Sequence, residues 1–110
     1  MKQYVIDELR PEDHEKIKMY MDEHFGPADM GDIYWIPLDH DLYDAIQLSH
    51  DECRPFYFTI QLSSTSLTVE LLVRTKNRIR CDCIKYATKE QFFWLISLID
   101  AIFEQLEITA

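Results

Sequence analysis

The residues with the most specific chemistry are three cysteines and one histidine. His50-x-x-Cys53 precedes a run of alternating segments, and Cys81-x-Cys83 falls inside it. One imidazole and three thiolates match a structural zinc set in type and number, although the spacing follows no standard finger pattern. The plainer role is that of buried thiols, which behave as small apolar side chains; a disulfide from Cys53 is a further option. Zinc is therefore the one cofactor the sequence suggests. An odd number of cysteines points to reduced thiols in a cytoplasm.

A second group falls on the polar side of those alternating segments: Tyr57, Glu70, Arg74, Arg80 and Asp82. Arginine forks bind carboxylate or phosphate bidentately, so such a face could take a small anionic ligand or host an enzyme site. The alternative is a solvated face whose ion pairs are worth little each. A third group is apolar: Trp35, Phe93, Trp94 and Leu98 exceed what one buried stripe needs, and clustered exposed aromatics mark association surfaces. The expected partner is another protein or a second copy of the chain, as a homodimer. The remaining candidates are bland. Asp39-His40-Asp41 reads as helix capping, because an EF-hand loop needs a glycine and a bidentate glutamate. With only Gly26 and Gly31 in the chain, no phosphate-cradling loop can be built, and no nucleophile-elbow or zinc-protease motif is present. No catalytic residue is assigned.

These groups need elements to hold them. Tyr4 to Leu9 alternates and predicts a short strand. Pro11 suits the first position of a helix whose stripe is Ile17, Tyr20, Met21, His24 and Phe25, with Gly26-Pro27 as its stop. Ile33 to Leu38 is dense in β-formers, and Pro37 confines it to an edge strand or an extended arm. Asp39-His40-Asp41 would cap a short helix from Leu42 to about Ser49. Thr88-x-x-Gln91 is a capping box, opening a helix to about Leu106. Its stripe is Phe92, Leu95, Ile96, Ile99, Ile102, Phe103 and Leu106, with Phe93, Trp94 and Leu98 off it.

Between them, Phe56–Leu62, Leu67–Arg74 and Ile79–Cys83 alternate, predicting a three-stranded antiparallel meander with one apolar face. Keeping that face apolar sets Leu62 opposite Leu67, Phe58 opposite Leu71 and Phe56 opposite Val73. A three-residue loop, Lys76-Asn77-Arg78, then sets Val73 opposite Cys81 and Leu71 opposite Cys83. Arg74 and Arg80 become cross-strand neighbours, and Cys81 and Cys83 point together into the apolar layer.

Charge bounds the rest. The 110 residues carry 20 acids against 11 Lys+Arg, a net charge of −9. That argues against nucleic-acid backbone binding, which needs clustered cations. The local exception is Arg74, Lys76, Arg78, Arg80 and Lys85 against Asp82 alone. No apolar run is long enough to cross a bilayer, and the first residues lack the apolar core of a secretory signal. The expectation is one cytoplasmic α+β domain over residues 1–110, without membrane contact. Its order is β-α-β-(α)-β-β-β-α, with helices packed on one face of the sheet. Its expected work is protein interaction or self-association, the zinc module and the anion binder being the alternatives.

Overall fold

The computed structural model describes residues 2–109. The elements are β1 (Gln3–Ile6), α1 (Pro11–Phe25), β2 (Ile33–Pro37), α2 (Ala45–Leu48), β3 (Phe56–Leu62), β4 (Leu67–Glu70), β5 (Leu72–Thr75), β6 (Lys85–Tyr86) and α3 (Lys89–Gln105). Two 3₁₀ turns, His40–Leu42 and Asp51–Cys53, flank α2. The α+β class, the element order and the antiparallel sheet are those expected from the sequence.

β3 is the centre. One edge pairs with β2, from Tyr57↔Pro37 to Gln61↔Ile33. The other edge carries β4 and β5 end to end, with β1 beside β4 and β6 beside β5. Alternation decides which face is inside: Phe56, Phe58, Ile60 and Leu62 are buried, while Tyr57, Thr59 and Gln61 turn outward. β2 alternates in step, burying Tyr34 and Ile36. Ile17 and Met21 of α1 meet Ile60, Leu67 and the α3 residues Ile99, Ile102 and Phe103, so both long helices cover this one face.

Leu62 does face Leu67, but the expected register fails further along. β3 offers the single residue Thr59 between Phe58 and Ile60, whereas Glu70, Leu71 and Leu72 lie between the partner residues Val69 and Val73. This bulge holds two extra residues. Phe56 therefore faces Thr75, not Val73. The inserted Leu71 turns its N–H to the Lys2 carbonyl at 3.1 Å and its carbonyl to the Ala87 N–H at 2.8 Å, so no backbone group is wasted. A shift of two preserves which side chains point inward, which is why alternation alone could not reveal it.

The third strand also moves. Residues 79–83 form no strand; Val73 pairs with Lys85 and Leu72 with Tyr86. Val73–Cys81 and Leu71–Cys83 are not partners, and Arg74 and Arg80 are not neighbours across a ladder. The cause is local: Asn77, just past β5, hydrogen-bonds to the carbonyls of Glu52 and Arg54 on either side of Cys53, which draws the chain toward that turn instead of back along β5.

The second helix is shorter than expected. Asp39 caps only the 3₁₀ turn, and Asp44 opens α2 in a capping box with Gln47. Thr88 and Gln91 open α3 in the same way. The two boxes meet: Gln91 Nε2 donates to Gln47 Oε1 at 2.9 Å and to the Leu42 carbonyl at 2.9 Å, both side chains being fully buried. Removing one partner leaves buried amide groups unpaired. Gln91→Ala is expected to lower stability by about 2–3 kcal/mol. Met19→Ala, on the exposed side of α1, is expected to stay within about 0.5 kcal/mol. Urea denaturation followed by circular dichroism measures both.

Candidate metal centre

Two distant segments supply the three thiols. Cys53 ends the 3₁₀ turn that follows α2, and Cys81 and Cys83 lie in the 76–84 loop between β5 and β6. A turn from the Ile84 N–H to the Cys81 carbonyl, 3.0 Å, shapes the loop's end.

Polar side chains stitch the segments together. The Thr75 hydroxyl donates to the Cys53 carbonyl. Asn77 Nδ2 donates to the Glu52 and Arg54 carbonyls at 3.1 Å each. Lys85 Nζ lies 2.7 Å from Asp44 Oδ2, linking β6 to the cap of α2. The outcome is that the sulfurs of Cys53, Cys81 and Cys83 lie within 4.8 Å of one another, with Cys53 and Cys81 at 3.9 Å. Zinc–sulfur bonds of about 2.3 Å in a tetrahedron set sulfurs about 3.8 Å apart. The trio therefore approximates one triangular face of such a tetrahedron. All three are free thiols; Cys53 and Cys83 are buried and Cys81 is half-buried.

His50, the fourth ligand expected from the sequence, stands outside this trio. Its Nδ1 lies 2.7 Å from the Ile46 carbonyl and 3.1 Å from the Ser49 hydroxyl. A carbonyl only accepts, so Nδ1 carries the proton and Nε2 is left with its lone pair in the neutral ring. The Ile46 carbonyl raises the His50 pKa, burial opposes this, and the charges of Cys81, Glu52 and Asp82 add to the rise. Cys81 and His50 thus bias each other's charge.

The sulfurs are electrostatically unequal. The Cys83 backbone and side chain lower the Cys81 pKa, aided by Cys53 and His50 against the pull of burial. Burial pushes the Cys83 thiol up to about 12, and its contacts with Cys81 and Cys53 hold its proton further. Ionising all three thiols together therefore requires a compensating cation.

The other candidates separate. Tyr57, Glu70 and Arg74 do share the outer sheet face, but Arg74 is engaged by Glu70, with Nη2–Oε1 at 2.7 Å and Nε–Oε1 at 3.0 Å. Arg80 and Asp82 sit exposed in the 76–84 loop and belong to no strand of the sheet. The hollow beside Glu70 holds about 80 Å³, room for little beyond water. Trp94 stacks on Phe58 with ring centroids 6.3 Å apart, and Leu98 packs on the core, so the chain itself covers both. Phe93 remains 63% exposed, and Trp35 is half-buried on the opposite face of the sheet. Asp39, His40 and Asp41 cluster, but all are exposed and the Asp39 carboxylate is occupied by the Asp41 N–H. A larger open hollow of about 770 Å³ borders Asp22, Asp29 and Asp32 and contains neither thiol nor imidazole.

Thr75, Asn77, Asp44 and Lys85 position the centre, a role the sequence did not assign to any of them. Asp44-x-x-Gln47 is itself a capping-box pattern and could have been read as one. The Thr75 and Asn77 contacts follow from the two-residue bulge, which leaves no sequence trace. Among the described residues no helix is long and apolar enough to cross a membrane. Comparison with known proteins yields no matching family model, no similar curated protein and no similar solved structure.

Two measurements check this geometry. In the metal-free protein, Cys81 is expected to alkylate first, with Cys53 and Cys83 slower by an order of magnitude or more because they are buried. Peptide mass mapping after short iodoacetamide pulses reads the order, and early labelling of Cys83 would contradict it. The Asp44 carboxyl is held below its ordinary value: burial opposes ionisation, but Lys85 and the Gln47 and Ile46 N–H groups outweigh it. A lowered carboxyl stabilises the fold above its unfolded pKa, near 4, and loses that contribution as the pH falls through the folded value. Asp44→Asn is therefore expected to cost up to about 1 kcal/mol at neutral pH. The gap should close on acidification below about pH 4 in paired denaturation curves.

Proposed function

We propose that the protein is a small metal-stabilised module that holds one zinc ion on Cys53, Cys81 and Cys83, with His50 Nε2 completing the set. The convergence of three sulfurs from two segments within 4.8 Å carries this reading. Soft thiolates and one imidazole suit zinc, and a closed four-ligand set is a structural rather than a catalytic arrangement. The His50 ring supports it, because a ligating histidine ordinarily donates its other nitrogen to a carbonyl or carboxylate, as Nδ1 does here to Ile46. The ion's work is to fasten the loop 76–84 to the turn before β3. That fastening also lets the buried Cys83 ionise without an isolated charge.

The module's partner is proposed to be another protein or a second copy of the chain. Phe93 favours α3 as the contact: it is 63% exposed beside the half-buried Phe92, with the exposed Tyr86 on the neighbouring β6. Sedimentation at micromolar concentration checks this part, a dimer mass being expected and being lost in Phe93→Glu.

For the metal, protein purified without chelator is expected to carry about one zinc per chain by elemental analysis. Cobalt substitution should give the visible bands of a tetrahedral thiolate site. Cys83→Ser should abolish the stoichiometric ion, and His50→Ala should keep a weaker one with altered cobalt bands. A protein that refolds fully in chelator, with unchanged thermal stability and no cobalt spectrum, would overturn the reading.

A further inference from the structure

The outward face of the sheet holds a second arrangement, independent of the thiols. Trp35 of β2 and Tyr57 of β3 lie diagonally across the ladder, two positions apart in register. Their rings meet at 89° with centroids 5.7 Å apart, so two aromatic walls form a corner. Trp35 Nε1 donates to Asp29 Oδ2 at 2.7 Å, which fixes the indole and sets a carboxylate at its rim.

The corner already contains a cation. Lys76 Nζ stands 5.2 Å from the Trp35 centroid and 4.8 Å from the Tyr57 centroid. Both distances fall within the reach of a cation–π contact, about 6 Å. In a chain with 20 acids against 11 Lys+Arg, this ammonium has no carboxylate within 4.0 Å among the described residues. It rests on the two rings instead. The side chain is exposed, and its four-carbon stem can swing aside without disturbing the strands.

We propose that Trp35 and Tyr57 form a recognition corner for an organic ammonium group borne by a ligand, and that Lys76 occupies it as an internal competitor. A trimethylammonium group is the best-fitting occupant. It has no N–H to keep hydrated, it offers methyl groups to both ring faces, and it keeps a full positive charge. A primary ammonium, being compact and strongly hydrated, is held less firmly, so Lys76 is displaceable. The same chemistry is presented by a choline-type small molecule and by a trimethylated lysine side chain.

Ligand-observed NMR tests this at constant ionic strength, with tetramethylammonium chloride as the first probe. The wild-type protein should show weak saturable binding, with the methyl signal shifted upfield by the rings. Lys76→Ala should bind about two- to five-fold more tightly, the factor expected from removing one exposed cation–π competitor. In the Lys76→Ala background, Tyr57→Leu and Trp35→Leu should lose the binding, while Trp35→Phe retains part of it. Circular dichroism and thermal melting identify any variant that has failed to fold, and Trp35→Phe preserves the wall should Trp35→Leu be one. Choline and a short trimethyl-lysine peptide form the second arm; a tighter peptide identifies a protein side chain as the source, and tighter choline identifies a small molecule. No saturable shift in Lys76→Ala, or equal binding by folded variants lacking the aromatic walls, would overturn the proposal.

Discussion

The structure turns on a buried amide contact. Gln47 and Gln91 are the third residues of two helices, and each completes its own capping box. Their side chains then meet, Gln91 Nε2 on Gln47 Oε1, with no solvent exposure. In an apolar interior such groups are costly to leave unpaired, so the contact leaves little freedom in how the 38–55 connection lies against α3. Everything downstream inherits that choice. The 3₁₀ turn bearing Cys53 leaves α2 in a fixed direction, and Asp44, capping α2 with Oδ1, reaches Lys85 with Oδ2. The thiol centre is therefore assembled by polar contacts that contain no thiol.

The sheet supplies the second half of the positioning. Had β3 and β4–β5 kept one register throughout, Val73 would face Phe56 and the chain would turn back as a tight hairpin. The bulge at Glu70–Leu72 advances β5 by two residues and brings Thr75 opposite Phe56, next to Cys53. Its hydroxyl takes the Cys53 carbonyl, and Asn77 takes the carbonyls on either side. The loop 76–84 is thereby led across the end of β3. Cys81 and Cys83 approach Cys53 because of this detour, not because they sit on a strand.

What the sequence revealed follows the same division. Elements governed by local chemistry were legible: α1 from Pro11 to Gly26, the Thr88–Gln91 box, the apolar stripe of α3, and the inward set Phe56, Phe58, Ile60 and Leu62. The edge position of β2 followed from Pro37. The third strand was not legible. Ile79, Cys81 and Cys83 alternate with Arg80 and Asp82 as a strand would, but alternation reports a period and not a partner. The ligand set was named as four residues and three of them converge. The strand expected to carry Cys81 and Cys83 is replaced by a loop held from outside. Arg74 and Arg80 lose their expected cross-strand pairing for the same cause. Trp94 sat off the calculated stripe yet found Phe58, because the buried sector of α3 is wider and rotated toward Gln91.

Edge strand β2 is only five residues long, and its far end is closed to further pairing because Pro37 has no N–H to offer. Opposite it, the sheet margin is divided between β1, of four residues, and β6, of two. A long, continuous ladder is the template on which proteins stack into fibrils, and the described residues present none. Crowding at high concentration should therefore drive the native protein toward side-by-side contacts of helices and loops, with amyloid growth reserved for chains that have first unfolded.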